Sequence, residues 1–88
     1  MAVYSVSYDL GLPSEYASLY QALKAYTHIH VMDSHWLIQA QGDAKTIRDE
    51  LMQHIDGNDA LFVSCVSRDW AGAGTQCGGW LNAPERAF

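Results

Sequence analysis

Asp9 stands at the end of the first apolar run of the chain, residues 2–11. If this run is a strand, alternate side chains point to opposite faces. The predicted strand then has an apolar and a polar face, formed respectively by Tyr4, Val6 and Tyr8, and by Ser5, Ser7 and Asp9. A carboxylate fixed at a strand end suits a hard metal ion such as Mg²⁺ or Mn²⁺. Aspartate also commonly begins a turn, so Asp9 has two interpretations.

A hairpin is predicted where two β-prone runs, 29–32 and 35–40, flank the turn residues Asp33 and Ser34. If Met32 pairs with His35, one face of this hairpin is apolar and consists of Ile29, Val31, Trp36 and Ile38. The opposite face is then expected to carry His28, His30, Met32, His35, Leu37 and Gln39.

Three histidines would therefore share one face of the hairpin. His28 and His30 lie about two strand rises apart, so a single zinc ion is not expected to join all three imidazoles. His35 is the candidate with a chemical role, either as a general base near Asp9 or as a pH-sensitive interface residue. The alternative is a plain surface or interface histidine.

Two helices are predicted between the strands. The first follows the N-cap candidate Ser14 and the favourably placed Glu15, and its apolar stripe contains Tyr16, Leu19, Tyr20, Leu23 and Tyr26. The second is capped by Asp43 and ends near Gly57, with a stripe of Ala44, Ile47, Leu51 and Ile55.

A last strand is predicted over residues 60–67, which gives the order β-α-β-β-α-β. This order is that of an α+β, ferredoxin-like fold with an antiparallel sheet, both helices on one face and the other face open. In that topology the end of the first strand lies beside the start of the third. Asp9 should therefore approach Asp33, Ser34 and His35.

The length of 88 residues allows one ferredoxin-like domain, over residues 1–71, followed by a C-terminal arm, 72–88. The segment around Trp70 and Trp80 is rich in glycine. It predicts a short fifth strand, or an arm that packs its tryptophans on a neighbouring subunit. So small a chain commonly gains stability as a homo-oligomer, which makes a homodimer the expectation.

The net charge of −5, with five Lys and Arg residues, argues against tight, sequence-independent DNA binding by this chain alone. Any nucleic-acid role is expected to be transient, metal-assisted or partner-assisted. Two cysteines are too few for a disulfide scaffold. No apolar stretch approaches the about 20 residues that cross a bilayer. We expect a cytosolic protein without a membrane partner, in the host cytosol if the gene is viral.

Four short segments occur in an order that resembles the CRISPR-associated Cas-two and VapD-like superfamily of small ferredoxin-fold proteins. They span most of residues 3–71 and are residues 7–10 (SYDL), 34–38 (SHWLI), 47–51 (IRDEL) and 59–63 (DALFV). The resemblance implies a homodimer joined through sheet faces, with later segments adding to the partner's sheet. In active members it implies a metal-dependent nuclease centred on the first-strand aspartate, here Asp9. VapD-like toxins act on RNA.

Three functional hypotheses follow. In the first, paired Asp9 carboxylates of a dimer hold Mg²⁺ or Mn²⁺ for phosphodiester cleavage, of RNA rather than DNA, with Ser7 and His35 as supporting candidates. In the second, a non-catalytic dimer keeps the fold and binds a protein partner through the open sheet face or the Trp70/Trp80 arm. In the third, the histidine face senses a small molecule or a metal.

Overall fold

Four strands form one antiparallel sheet in the computed structural model, which describes residues 1–11 and 16–88. The strands are β1 (Ala2–Asp9), β2 (Thr27–Met32), β3 (His35–Ala40) and β4 (Ala60–Cys65). Their order across the sheet is β2-β3-β1-β4, and every neighbouring pair is antiparallel. The predicted α+β class and antiparallel sheet are confirmed, and the arrangement is consistent with a ferredoxin-like fold.

Two helices, α1 (Ala17–Lys24) and α2 (Ala44–Met52), follow β1 and β3 in the chain. Their buried leucines and isoleucine pack against the sheet in one apolar core, which contains Tyr4, Val6, Tyr8, Tyr16, Leu19, Leu23, Trp36, Ile38, Ala40, Ile47 and Leu51. The predicted cap Ser14 and the neighbouring Glu15 lie outside the described residues. None of the helices in the described residues has the length and hydrophobicity of a membrane-spanning segment.

The predicted N-cap of α2 is confirmed. The Asp43 carboxylate accepts hydrogen bonds from the backbone N–H and the hydroxyl of Thr46, each at 2.8 Å, and Gly42 turns the chain into the cap with a φ of +91°. The helix ends at Met52, well before the predicted end at Gly57. The next turns use the tighter i→i+3 pattern, as in the 3.0 Å bond from the His54 N–H to the Leu51 carbonyl.

A β-bulge in β2 changes the predicted hairpin register. Met32 pairs with His35 as predicted, but the register shifts between His30 and Met32, so that His30 pairs with Trp36 and Ile29 with Leu37. The predicted pairs of Val31 with Trp36 and of Ile29 with Ile38 are therefore wrong. The prediction assumed a ladder without a bulge. Because β2 contains one extra residue between His30 and Met32, the residues of β2 before the bulge lie on the opposite face from the predicted one.

The bulge separates the three histidines that were predicted to share a face. His28 and His30 lie on the helix side of the sheet, where their rings are centred 5.5 Å and 4.1 Å from a Trp36 ring. His35 points to the other side, where its ring contacts Ser5. A sensor built on a common histidine face is therefore not formed in this arrangement.

The second face of the sheet is partly covered by the chain itself. Residues after β4 form a short helix, α3 (Cys77–Leu81), and a 3₁₀ turn (Pro84–Arg86). The buried side chains Cys77 and Leu81 pack on Val3 and Leu37 in a second apolar cluster. The expectation of a fully open face is wrong, because α3 supplies the apolar cover that this part of the sheet requires.

Trp70 and Trp80 belong to this second cluster, where each is half-buried against its own chain. The Arg86 guanidinium carbon lies 4.0 Å from the centre of a Trp80 ring, a cation–π geometry. Both tryptophans thus pack within one subunit, and their predicted packing on a neighbouring subunit stays a prediction. No fifth strand forms in the described residues.

Candidate functional site

A depression at the end of β1 holds the first-strand aspartate. Asp9 is exposed, and it lines this depression of about 450 Å³ together with Asp33 and Ser34 of the β2–β3 turn. We call it the Asp9 depression. The predicted approach of the first-strand end to the turn residues Asp33 and Ser34 is therefore present.

The tyrosine before Asp9 fixes the turn against the strand end. The Tyr8 N–H donates a hydrogen bond to the Ser34 carbonyl at 3.1 Å, and its hydroxyl donates one to the Asp33 carbonyl, also at 3.1 Å. The Trp36 indole N–H donates to the same hydroxyl at 2.8 Å. Burial raises the pKa of Tyr8, so the hydroxyl keeps its proton and continues to donate at neutral pH.

The Asp9 depression is also lined by Tyr8, Leu10 and Tyr20, and its oxygen donors for a metal ion are the side chains of Asp9, Asp33 and Ser34. Two carboxylates and a hydroxyl are the ligands that Mg²⁺ and Mn²⁺ prefer, so the residues present fit such an ion. Among the described residues, no group of three or more His, Cys, Asp and Glu side chains converges on one point. One protomer thus offers at most the carboxylates of Asp9 and Asp33 and the Ser34 hydroxyl, and further ligands would come from water, a phosphate or a second copy.

Few positive charges are available to this depression. Its lining contains no Lys or Arg among the described residues. Lys45 and Arg48 are engaged with Asp49 on α2, at 2.9 Å and 2.8 Å, and Arg86 is buried. Phosphate binding here would therefore depend on a cation held by the carboxylates rather than on basic side chains.

His35 and Ser7, the other predicted site residues, do not line the Asp9 depression in the described structure. Their backbones pair across β3 and β1, but His35 Nε2 lies 2.6 Å from the hydroxyl oxygen of Ser5. Burial lowers the pKa of His35, which favours the neutral imidazole. The histidine thus belongs to a neighbouring part of the sheet rather than to the aspartates.

Ser5 and Cys77 were missed by the sequence reasoning, and both line a cleft between the sheet and the C-terminal segment. Strand alternation already places Ser5 on the same face as Ser7 and Asp9, which was a usable signal. Nothing in the sequence gave a comparable signal for Cys77, because its position depends on the fold of residues 70–81 over the sheet.

The part of the second face that α3 does not cover lies along β1 and β4. Ser7 pairs with Phe62 there, and Ser5 with Ser64. Phe62 is 67% exposed, although it stands in the middle of a strand. We call Ser7, Asp9, Phe62 and Ser64 the uncovered strip. Because aromatic residues are enriched at protein–protein interfaces, the exposed Phe62 makes this strip a candidate surface for binding another protein.

No family model matches this chain. A crystal structure of a hypothetical protein from Thermus thermophilus is similar, with a TM-score of 0.66 and 25% sequence identity. The alignment covers 83% of this chain and 90% of that chain. The similarity therefore concerns most of the fold, and it carries no information about activity.

Proposed function

We propose that this protein is a homodimeric, metal-dependent nuclease with a ferredoxin-like fold, similar to the Cas-two and VapD-like proteins, and that RNA is its substrate. The observation that carries the proposal is the meeting of Asp9 and Asp33 in one exposed depression at the end of β1. The strand order β2-β3-β1-β4, with α1 and α2 on one face, supports the fold assignment.

In this proposal Asp9 and Asp33 hold Mg²⁺ or Mn²⁺, and Asp9 of a second copy completes the site. A bound divalent cation polarises the phosphate and lowers the pKa of an attacking water. Tyr8 is a positioning residue, because its N–H and hydroxyl hold the turn that carries Asp33. Ser7 lies on the same strand face as Asp9 and is a candidate to orient that carboxylate. His35 bonds to Ser5 and does not line the described depression, so it would have at most an indirect role in cleavage.

RNA is proposed over DNA because the family resemblance includes toxins that act on RNA. The net charge of −5 and the lack of Lys and Arg in the described lining of the depression predict weak binding of RNA. Because few phosphates are neutralised by basic side chains, the affinity should depend only slightly on salt concentration. A short single strand, which brings few phosphates near the acidic surface, is the substrate of choice for the assay.

The test compares wild type with Asp9→Asn and Asp33→Asn in the cleavage of a labelled single-stranded RNA, with Mg²⁺, with Mn²⁺ and with a chelator. Asp69→Asn is the matched control, because Asp69 is also exposed but lies outside the depression. We expect the two depression variants to lose at least about 100-fold in rate, and the control to lose nothing. Equal cleavage by Asp9→Asn, or no metal-dependent cleavage by wild type, would overturn the nuclease proposal.

The exposure of Phe62 favours a second candidate, a non-catalytic dimer that uses the uncovered strip. The partner we propose is a second copy of this chain. Asp9 is the charged residue of this strip, whereas Ser7, Phe62 and Ser64 carry no charge, so a two-fold axis near Phe62 would have uncharged side chains at its centre. A wild-type dimer without nuclease activity would favour this function, whereas a monomer at high concentration would contradict it.

A further inference from the structure

A cleft separates the sheet from the C-terminal segment on the side away from α1 and α2. It has a volume of about 350 Å³, and its apolar walls are formed by residues that include Val31, Leu37, Val66, Trp70 and Leu81. The Asp9 depression shares no lining residue with it. A cleft of this size is at the lower end of the range for small-molecule sites.

We infer that this cleft binds a small, uncharged molecule with an apolar body and a hydrogen-bonding group. The apolar body is recognised by the aromatic and aliphatic walls, and the polar group by the Ser5–His35 pair at the sheet. The inference does not depend on the nuclease proposal, because the cleft is lined by neither Asp9 nor Asp33, the residues proposed to hold the metal ion.

The lack of charged side chains in the described lining favours an uncharged ligand. Among the described residues, the cleft is lined by no Asp, Glu, Lys or Arg. Burial lowers the pKa of His35, so its imidazole is neutral near pH 7. An ionic ligand would lose its hydration on entry and gain no opposite charge in return, which is costly in an apolar site.

Two polar pairs face the cleft from opposite walls. On the sheet side, the Ser5 hydroxyl lies 2.6 Å from His35 Nε2. On the other side, the Thr75 hydroxyl lies 3.2 Å from the Cys77 sulfur. A serine hydroxyl has one donor and two acceptor sites, so Ser5 retains hydrogen-bonding capacity beyond its bond with His35. A ligand N–H or carbonyl can therefore be bound at the sheet wall.

The test uses the intact protein and the uncharged fluorophore N-phenyl-1-naphthylamine, which has an apolar body and one N–H. Its anionic relative 1-anilinonaphthalene-8-sulfonate is the charge control. We expect saturable fluorescence enhancement with the uncharged probe and at least about tenfold weaker binding of the sulfonate. Absence of saturable binding, or equal affinity for the two probes, would overturn the inference.

Two variants locate the bound probe. Ala73 is exposed at the edge of the cleft, so Ala73→Leu should narrow the cleft and weaken binding at least about fivefold. Ala17→Leu makes the same change at an exposed position of α1 and should leave the affinity unchanged. Circular dichroism checks that both variants fold. Equal affinities of the two folded variants would place the probe elsewhere and contradict the inference.

Discussion

The hydroxyl oxygen of Ser5 on β1 lies 2.6 Å from Nε2 of His35 on the neighbouring strand β3. The two residues are diagonal neighbours across the pair, because Ser5 is directly opposite Leu37. The contact orients the imidazole towards the C-terminal segment and away from the Asp9 depression. The Asp9 depression and the C-terminal cleft therefore lie on one sheet without sharing a lining residue.

His35 should make the stability of the protein depend on pH. Burial lowers its pKa in the folded state below the ordinary value of 6.5, so the unfolded chain binds the extra proton more readily. The contribution of the neutral His35 side chain to the free energy of unfolding is complete above about pH 6.5. It is lost as the pH falls through the folded-state pKa of His35. Urea unfolding at a series of pH values between about 7.5 and 5 measures this loss.

His35→Gln should flatten the pH dependence in that range. Ser5→Ala should retain it, because burial rather than the hydrogen bond lowers the pKa of His35. If both variants unfold with the pH dependence of wild type, His35 is not the residue responsible.

Leu81 should be as important to stability as a residue of the main core. It is 2% exposed and packs with Cys77 against the second face of the sheet. Leu81→Ala is expected to lower the free energy of unfolding by about 2–5 kcal/mol, measured by urea denaturation. Met52→Ala, at a position that is 50% exposed on α2, is the control and should have little effect. A loss for Leu81→Ala no larger than that of the control would mean that α3 does not cover the sheet.

The cap of α2 should depend on the side-chain oxygen of Asp43 rather than on its charge. Asp43→Ala removes both hydrogen bonds to Thr46 and should lower the urea midpoint. Asp43→Asn keeps an acceptor oxygen and should retain most of the stability. An equal fall in the midpoint for the two variants would show that the charge is what matters.

Phe62 should determine self-association. Phe62→Asp places a charge at the centre of the uncovered strip, and two copies would then repel each other across a two-fold axis. We expect sedimentation to change from dimer to monomer, with little loss of stability because the side chain is 67% exposed. Met52→Asp introduces the same charge at an exposed position of α2, on the other side of the sheet, and should leave the proposed dimer intact. A dimer that persists in Phe62→Asp would exclude the uncovered strip as the contact.

Much of the architecture follows from local sequence patterns. The alternation in residues 2–9, the stripe of Leu19 and Leu23, and the cap at Asp43 each predict an element that the structure contains. The approach of Asp9 to the β2–β3 turn was also predictable, because the order of elements alone brings them together.

The register of β2 and the place of the C-terminal segment could not be predicted in this way. The bulge near Val31 is favoured by contacts that are distant in sequence, since Ile29 and Val31 pack with the cluster that α3 completes. Gly78 and Gly79 are poor helix formers in a helix of five residues. This helix is held by the burial of Cys77 and Leu81 rather than by its own propensity.

The bulge also keeps the imidazoles of β2 away from the C-terminal cleft. In a ladder without a bulge, Val31 would lie opposite Trp36, and every residue of β2 before it would exchange faces. His28 and His30 would then leave the Trp36 ring and join His35 beside the cleft, while Ile29 would turn towards α1 and α2. Deletion of Val31, by contrast, would remove the extra residue and keep His30 opposite Trp36, so that both histidines would stay on the helix side. The extra residue thus lets one strand present its imidazoles to one side of the sheet and its aliphatic side chains to the other.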